Sequence, residues 1–368
     1  MEVHLILTQP QRVSERNCHL SLVRNIHYRK TEVGETKMKL VIPVLSLETG
    51  GTRFIYQLAN ELVDKGHNVE IVLPENAAMA WPVRAQITRV KELTPDTIPP
   101  ADFLLPNFYP TVFPAWESKK GRVVRLSLGY EPLWVNEKDK ALASYLIDAP
   151  IISLSQWHRQ LILQGTGRNS TVIPGGVDTA IFRPCPKKSL STGRLTIAYI
   201  LRSKEHGYTW KGSEDFWEAC QRLRQSVPDF DIEVVAPEGA NYQAPLSYRI
   251  VKAETDAEMA QFYAQADIFV STSYFESFSM PLLEAMACGT AVVTTDNGGN
   301  RDYTKNGENC LVVPPSDIKQ LTLKLNQLLT VENQRNQLAQ NGLQFAQSWT
   351  WRHSADKIEA LLFKLAST

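Results

Sequence analysis

Much of what would place this chain outside the globular enzymes is missing from it. No apolar run approaches the roughly 20 residues that a membrane span requires, and residues 1–30 carry interspersed charge where a signal peptide would have an apolar block. Neither charge sign dominates: Lys plus Arg equals Asp plus Glu at 39 each, so no global field draws the protein to nucleic acid or to an anionic membrane. Any anion recognition must be local. Cysteine is scarce and odd in number; Cys18, Cys185, Cys220, Cys288 and Cys310 never fall at the spacing of a zinc site or redox motif, which fits a reducing cytoplasm. The seven histidines, His67, His158, His206 and His353 among them, are too scattered for a metal or triad pattern and read as surface or packing residues.

What is present is the composition of a folded enzyme, with 43% hydrophobic and 21% charged residues. A chain of 368 residues exceeds one ordinary core, and two domains imply a cleft. Residues 1–37 lack a clean helix or strand period. They read as an extension that folding does not need, or as an upstream translation artefact, because a buried strand begins at Met38.

After that strand, Leu47-Glu48-Thr49-Gly50-Gly51-Thr52 makes a glycine turn, and Phe54, Ile55, Leu58, Ala59 and Leu62 recur at helical spacing before a second strand at Val69–Leu73. Strand, glycine turn, helix and strand make a βαβ unit, whose crossover forces parallel strands and puts the turn at their carboxyl ends, where ligands bind. Further strands are expected at Phe103–Leu105, Arg122–Leu128 and Ile151–Leu154, closing an α/β domain over residues 38–174. The Pro- and Gly-dense stretch 175–194 reads as a linker. A second Rossmann-like α/β domain follows over 195–348, and an amphipathic helix within 349–368 closes the chain.

The densest chemistry lies between Glu276 and Gly289. A strand, Ile268–Ser271, leads into Ser279, which suits an N-cap, Pro281, which suits a first helical turn, and Gly289, which suits a left-handed terminus. Free N–H groups and the positive dipole end at Met280, Pro281, Leu282 and Leu283 form a place for a diphosphate, although Pro281 itself has no N–H to give. Glu276 and Glu284 flank it. Carboxylates would repel phosphate, so their sensible task is to accept hydrogen bonds from sugar hydroxyls on either side of it.

These residues resemble the retaining glycosyltransferases of GT-B fold whose signature is Glu, seven residues, Glu, then Ala-Met-Ala-x-Gly. The similarity runs over roughly residues 38–366 and includes Gly50-Gly51, the linker Val172–Asp178 with Gly175 where Asn is common, and the closing segment Trp349–Ile358. It implies two Rossmann-like domains facing across a cleft, with the last helix crossing back to the first. It also implies that Glu284 bonds the nucleotide ribose and Glu276 the donor sugar, with Gly50 and Gly51 at the donor. Arg202 and Lys211, which the family's Arg and Lys-Gly match, would stabilise the leaving diphosphate without a metal or other cofactor.

Gly298 and Gly299 follow the strand Ala291–Thr295 and could turn backbone N–H groups toward the donor. Asp229-Phe230-Asp231 precedes a strand, the wrong edge for chelation, and reads as a solvated turn. The family pattern breaks in three places. The loop Ser203–Trp210 is longer than usual, Val235–Gly239 lacks the usual Gly-x-Gly that ends the base-binding strand, and Ser127–Pro132 stands where many members have a histidine that reaches the 6-hydroxyl of the donor sugar. Tyr130 or Glu131 would then line the donor or acceptor pocket, as suits a 6-deoxy sugar.

The expectation is a glycosyltransferase using a nucleoside diphosphate sugar and a glycan, lipid-linked or small-molecule acceptor chosen by the first domain, with no nucleic acid partner. Lys119, Lys120, Arg122 and Arg125 form a basic cluster that could touch a membrane surface peripherally, solvated charge being the plainer reading. Two alternatives stand beside this one: a nucleotide-sugar epimerase or hydrolase on the same scaffold, and a non-catalytic sugar-nucleotide-binding protein.

Overall fold

The computed structural model describes residues 37–45, 50–79, 81–187, 193–202, 207–227, 229–236 and 244–368. The expected N-terminal extension falls outside these, apart from Lys37, as do Leu47–Thr49 of the glycine turn, 188–192 of the linker, 203–206 of the long loop and Pro237–Gly239 of the base-binding edge.

Strand β1 (Lys39–Pro43) is almost wholly buried, as its apolar run predicts, and α1 (Gly50–Asp64) packs Phe54, Ile55, Leu58, Ala59 and Leu62 onto the sheet. Each large side chain so buried contributes about 1.5–3 kcal/mol. The first half continues through β2 (Asn68–Pro74), β3 (Gln86–Val90), β4 (Phe103–Leu104), α2 (Tyr109–Ser118), β5 (Arg122–Val123), β6 (Arg125–Leu126), α3 (Lys138–Leu146), β7 (Ile151–Ser153), α4 (Gln156–Thr166) and β8 (Thr171–Val172). Its strands lie in the orders β3-β2-β1-β4-β5 and β6-β7-β8, all parallel. The stretch expected as one strand over Arg122–Leu128 is split, because its first residues pair with β4 and its later ones with β7.

The second half is a six-stranded parallel sheet. Its elements are β9 (Thr196–Ile200), α5 (Ser213–Leu223), β10 (Asp231–Val235), β11 (Arg249–Ile250), α6 (Asp256–Gln265), β12 (Ile268–Ser271), α7 (Met280–Ala287), β13 (Ala291–Thr295), β14 (Leu311–Val313), α8 (Ile318–Thr330) and α9 (Glu332–Ala346). The strand order is β11-β10-β9-β12-β13-β14, so the chain reverses direction between β9 and β12. At such a switch point the loops leaving the two strands diverge and open a crevice at their carboxyl ends. With the first half's parallel sheets this is the two-Rossmann-domain arrangement expected of the GT-B fold.

The chain crosses between the halves twice, side by side. Val177 N–H donates to Trp349 O at 2.8 Å, and a Cβ on Gly176 would lie 2.3 Å from the Thr350 backbone. Gly175, where the family has Asn, faces the Phe278 ring at 2.9 Å from its own would-be Cβ, which explains the smaller residue. After the return crossing, α10 (Trp351–Ala366) packs on α1 through Trp351 against Phe54, ring centroids 5.1 Å apart, and through Lys65 on Asp356 and Glu359 at 2.6 and 2.9 Å.

Candidate functional site

The loops leaving β9 and β12 supply both sides of the crevice. After β9 the chain reaches Arg202, and then Lys211 and Gly212, which open α5. Gly212 has φ 62°, and a Cβ there would sit 2.2 Å from Thr272 O, so glycine is required on both counts. Thr272, just past β12, donates its hydroxyl to Lys211 O at 3.0 Å and to Gly212 O at 2.7 Å. The Lys-Gly pair is thereby fixed to the other side of the switch.

Lys211 Nζ reaches Glu276 Oε1 at 2.5 Å, with the two side chains 27% and 18% exposed. That accessibility leaves the pair open to a polar ligand. Arg202 is more deeply set, and burial lowers the pKa of its guanidinium by penalising the charged form. Among the described residues no carboxylate pairs with it; it bonds its neighbour's carbonyl, Leu201 O, at 3.1 Å. A half-buried cation with no carboxylate partner among the described residues favours an incoming anion.

α7 begins as expected but not by the expected cap. Ser279 occupies the N-cap position with φ 72° and makes no side-chain cap. Its left-handed backbone is held from outside, where the buried Tyr303 hydroxyl donates to Ser279 O at 2.7 Å and to Phe278 O at 3.0 Å. At the other end Gly289, φ 73°, donates to Met286 O while Thr290 N–H donates to Ala285 O, the paired bonds of a Schellman terminus. Met280 faces the first half: its Cε lies 3.2 Å from where a Cβ on Gly50 would stand. Gly50 and Gly51 belong to the first turn of α1 itself, so two helix N-termini approach each other here. Leu282 and Leu283 turn into the core, leaving only backbone for a ligand.

Gly298 and Gly299 sit beneath the Glu276 loop. Glu276 N–H donates to Asn297 O at 2.9 Å, a Cβ on Gly299 would be 2.3 Å from Glu276 O, and the Gly299 N–H is spent on Asn297 O at 3.0 Å. A Cβ on Gly298 would enter the Trp157 ring at 2.4 Å. The two glycines let protein close in around the loop and support it; the ligand-facing role expected for them is not where this packing puts them.

Glu284 is not at an open surface. Its carboxylate is ion-paired with Arg53 of α1 and accepts the Tyr263 hydroxyl at 3.1 Å, leaving the residue 3% exposed. Arg53 also lies 2.9 Å from Asp256, and these two carboxylates raise its pKa against the lowering effect of its burial. Arg53 went unnoticed in the sequence, yet a signal existed: Arg53, Gln57 and Glu61 on α1 and Lys65 just past its end recur every fourth residue, and each meets a residue of the second half or of α10.

Tyr130 and Glu131 depart furthest from expectation. Glu131 is 2% exposed and takes a bidentate bond from Arg125 at 2.8 and 2.9 Å and the Tyr145 hydroxyl. Burial pushes its carboxyl up, against the pull of Arg125 and Tyr145. Tyr130 is 8% exposed beside Gly165 and Tyr145. Both side chains are spent on packing and on the buried ion pair, so the 6-deoxy expectation loses the residues it rested on. Arg125 cannot stay out of reach of solvent without a counter-charge, and Glu131 supplies it. Arg125 thereby leaves the surface cluster expected from Lys119, Lys120, Arg122 and Arg125, while the other three stay at least partly exposed. Lys119 and Arg122 instead border a cavity of about 470 Å³ at the amino end of β5, the sheet edge opposite the switch.

Asp229 and Asp231 lie at the amino edge and pair with Arg194 and Arg224, as a solvated turn would. Among the described residues no three His, Cys, Asp or Glu side chains are grouped to hold a metal, and no helix is long and apolar enough to cross a membrane. Cys185, Cys220, Cys288 and Cys310 are all unpaired, and burial pushes the Cys310 thiol up to about 12.

The glycosyl transferases group 1 family model matches residues 198–345. The chain is 27% identical over 211 residues to a D-inositol 3-phosphate glycosyltransferase of Corynebacterium urealyticum, which covers 52% of this chain and 50% of that protein. It is 29% identical over 204 residues to the MMP alpha-(1→4)-mannosyltransferase of Mycolicibacterium hassiacum, covering 52% and 48%. It thus spans about half the length of these curated relatives. Among solved structures, sucrose-phosphate synthase from Thermosynechococcus elongatus superposes with a TM-score of 0.75 at 17% identity, over 90% of this chain and 100% of that one. Anabaena HepE in complex with UDP-glucose does so with a TM-score of 0.71 at 18% identity, over 89% and 100%. The two-sheet architecture is that of the GT-B glycosyltransferases, and residues 198–345 are similar to the glycosyl transferases group 1 family.

Proposed function

We propose that this protein is a retaining glycosyltransferase that moves a sugar from a nucleoside diphosphate donor to an acceptor held by the first half, without a metal or other cofactor. One observation carries the reading: Lys211 and Glu276 form an accessible ion pair across the β9/β12 switch, with Arg202, which has no carboxylate partner among the described residues, on the same edge. Breaking the bond between the anomeric carbon and the diphosphate leaves an added negative charge on the departing oxygen. Fixed cations lower the barrier by meeting that charge as it develops. Arg202 and Lys211 would do so, and the α7 and α1 N-termini would extend the favourable field.

Glu276 would exchange its bond to Lys211 for a sugar hydroxyl, releasing Lys211 toward phosphate as the donor seats. Glu284 would bond the ribose once Arg53 yields part of its carboxylate. Retention follows if the departing phosphate deprotonates the acceptor on the face it leaves. The acceptor class, a role in polysaccharide or glycoconjugate synthesis, a cytoplasmic location and any peripheral membrane contact belong to the same proposal.

The test is thermal shift of the full chain against UDP, GDP, ADP and dTDP sugars, with UDP-glucose included because HepE binds it. One base series should raise the melting temperature by mass action. Product analysis by mass spectrometry with and without acceptor then follows. Stabilisation without turnover would overturn transfer in favour of simple recognition, turnover equal with and without acceptor would favour hydrolysis, and no stabilisation by any member would overturn the nucleotide-sugar reading itself.

A further inference from the structure

Two of the places at which this chain departs from its family pattern run into short turns that meet in space. Ser127–Pro132 leads into a short turn, Glu131–Leu133, from which Trp134 N–H donates back to Glu131 O at 3.0 Å. The end of the long loop after β9 is a second short turn, Thr209–Lys211, which carries Trp210. The two indoles stack across the halves with centroids 6.4 Å apart and planes 30° from parallel. Trp210 stacks in turn on Phe275, 5.7 Å and 18°, and Tyr208 packs edge-on against it at 5.9 Å. Tyr274 N–H donates to Trp210 O at 2.7 Å, which locks the middle of the column.

This column stands beside the proposed chemistry. Trp210 adjoins Lys211, and Phe275 adjoins Glu276. The would-be Cβ of Gly129 lies 2.4 Å from the Trp134 ring and 3.4 Å from Ser277 Oγ, so the ring, Gly129 and the Glu276 loop crowd one spot. The buried network beneath fixes this placement: Ser127 Oγ and the Tyr145 hydroxyl both donate to Gly129 O, at 3.0 and 2.8 Å. Trp134, the terminal ring, is 39% exposed, and Leu133 next to it is 42% exposed.

We propose that Trp134, backed by Trp210 and Phe275, is an acceptor subsite that takes the C–H face of a saturated, hydroxylated six-membered ring, a pyranose or a cyclitol. The inference rests on the transferase reading and names the acceptor's class. An indole face is apolar and carries the negative side of the ring quadrupole, so it attracts the polarised C–H groups of such a ring while the hydroxyls at the rim remain free for polar partners. A stacked column is rigid and surrenders little conformational entropy on binding. An alkyl chain needs an extended apolar groove, whereas this surface is one ring and one leucine.

The experiment uses the full chain with maltotriose, cellotriose and myo-inositol as probes, with octyl phosphate as the apolar control. Binding is read by titration with saturation-transfer NMR, in parallel with nucleoside diphosphate affinity. Wild type should bind at least one ring probe; Trp134→Phe should stay within about threefold of it, and Trp134→Leu, equally apolar but without a ring face, should lose about tenfold. Nucleotide affinity should be the same in all three. Ring binding that is absent in wild type or unaltered in Trp134→Leu, or octyl phosphate displacing the probes as well as they displace one another, would overturn the subsite. Failure of wild type to bind any nucleotide would instead overturn the transferase reading beneath it.

Discussion

Two ion pairs in this molecule use the same chemistry and sit in opposite settings. Arg125 and Glu131 have side chains 1% and 3% exposed, with Tyr145 and Ser144 completing the bonds. Lys211 and Glu276 are 27% and 18% exposed, at the point where two strands part. The first pair has no route to a ligand and serves the fold. The second can trade partners, and the arginine beside it has no carboxylate partner among the described residues. Residue type nominates both equally; solvent access and that neighbouring charge separate them.

Glu131→Ala should have the largest effect on stability, a loss of about 3–5 kcal/mol in chemical denaturation, because Arg125 is left as an uncompensated buried charge. A loss below about 1 kcal/mol would erase the distinction between the pairs. Arg53→Met tests the intermediate case, since Arg53 and Glu284 are 11% and 4% exposed and join the two halves. It should cost about 2–3 kcal/mol, and a larger radius of gyration by small-angle scattering should show the halves separating.

His158 sharpens the contrast by pH. Its Nδ1 accepts Leu154 N–H at 3.3 Å, so the proton lies on Nε2 facing Ser127 Oγ at 3.2 Å, and burial pushes the group's pKa down to about 3 from 6.5. Between those values the unfolded chain binds a proton that the folded chain refuses. Its contribution to stability is therefore complete above about pH 6.5 and is lost toward pH 3, at about 1.4 kcal/mol per pH unit. His158→Gln should flatten the stability profile by that slope between pH 4 and 6; an unaltered profile would mean the imidazole is protonated in the fold. Lys211→Met and Glu276→Gln should show the smallest effect, within about 1 kcal/mol, as accessible pairs do.

Legibility in the sequence followed the same division. In the second half β12 and β13 fall on their expected bounds, because buried parallel strands are short apolar runs set between helical periods. The first half hid β3, whose residues are half exposed, and α2 and α3, which carry an internal Pro114 and a polar composition respectively. Tyr130 and Glu131 were misjudged because a one-dimensional reading placed them after a strand at the ligand edge, while the partner that draws Glu131 inward, Arg125, was counted as surface charge. The Trp134–Trp210 stack was illegible for another reason: its rings come from loops 76 residues apart in number, and nothing local joins them.

The account turns on Lys211 and Glu276 acting on a ligand and not on the fold. Glycosyl transfer by Lys211→Met and Glu276→Gln, measured on the donor found in the thermal-shift panel, tests that most directly. The account predicts a fall of about 100-fold or more for each variant while the melting temperature stays within a few degrees of wild type; transfer at the wild-type rate in both variants would contradict it.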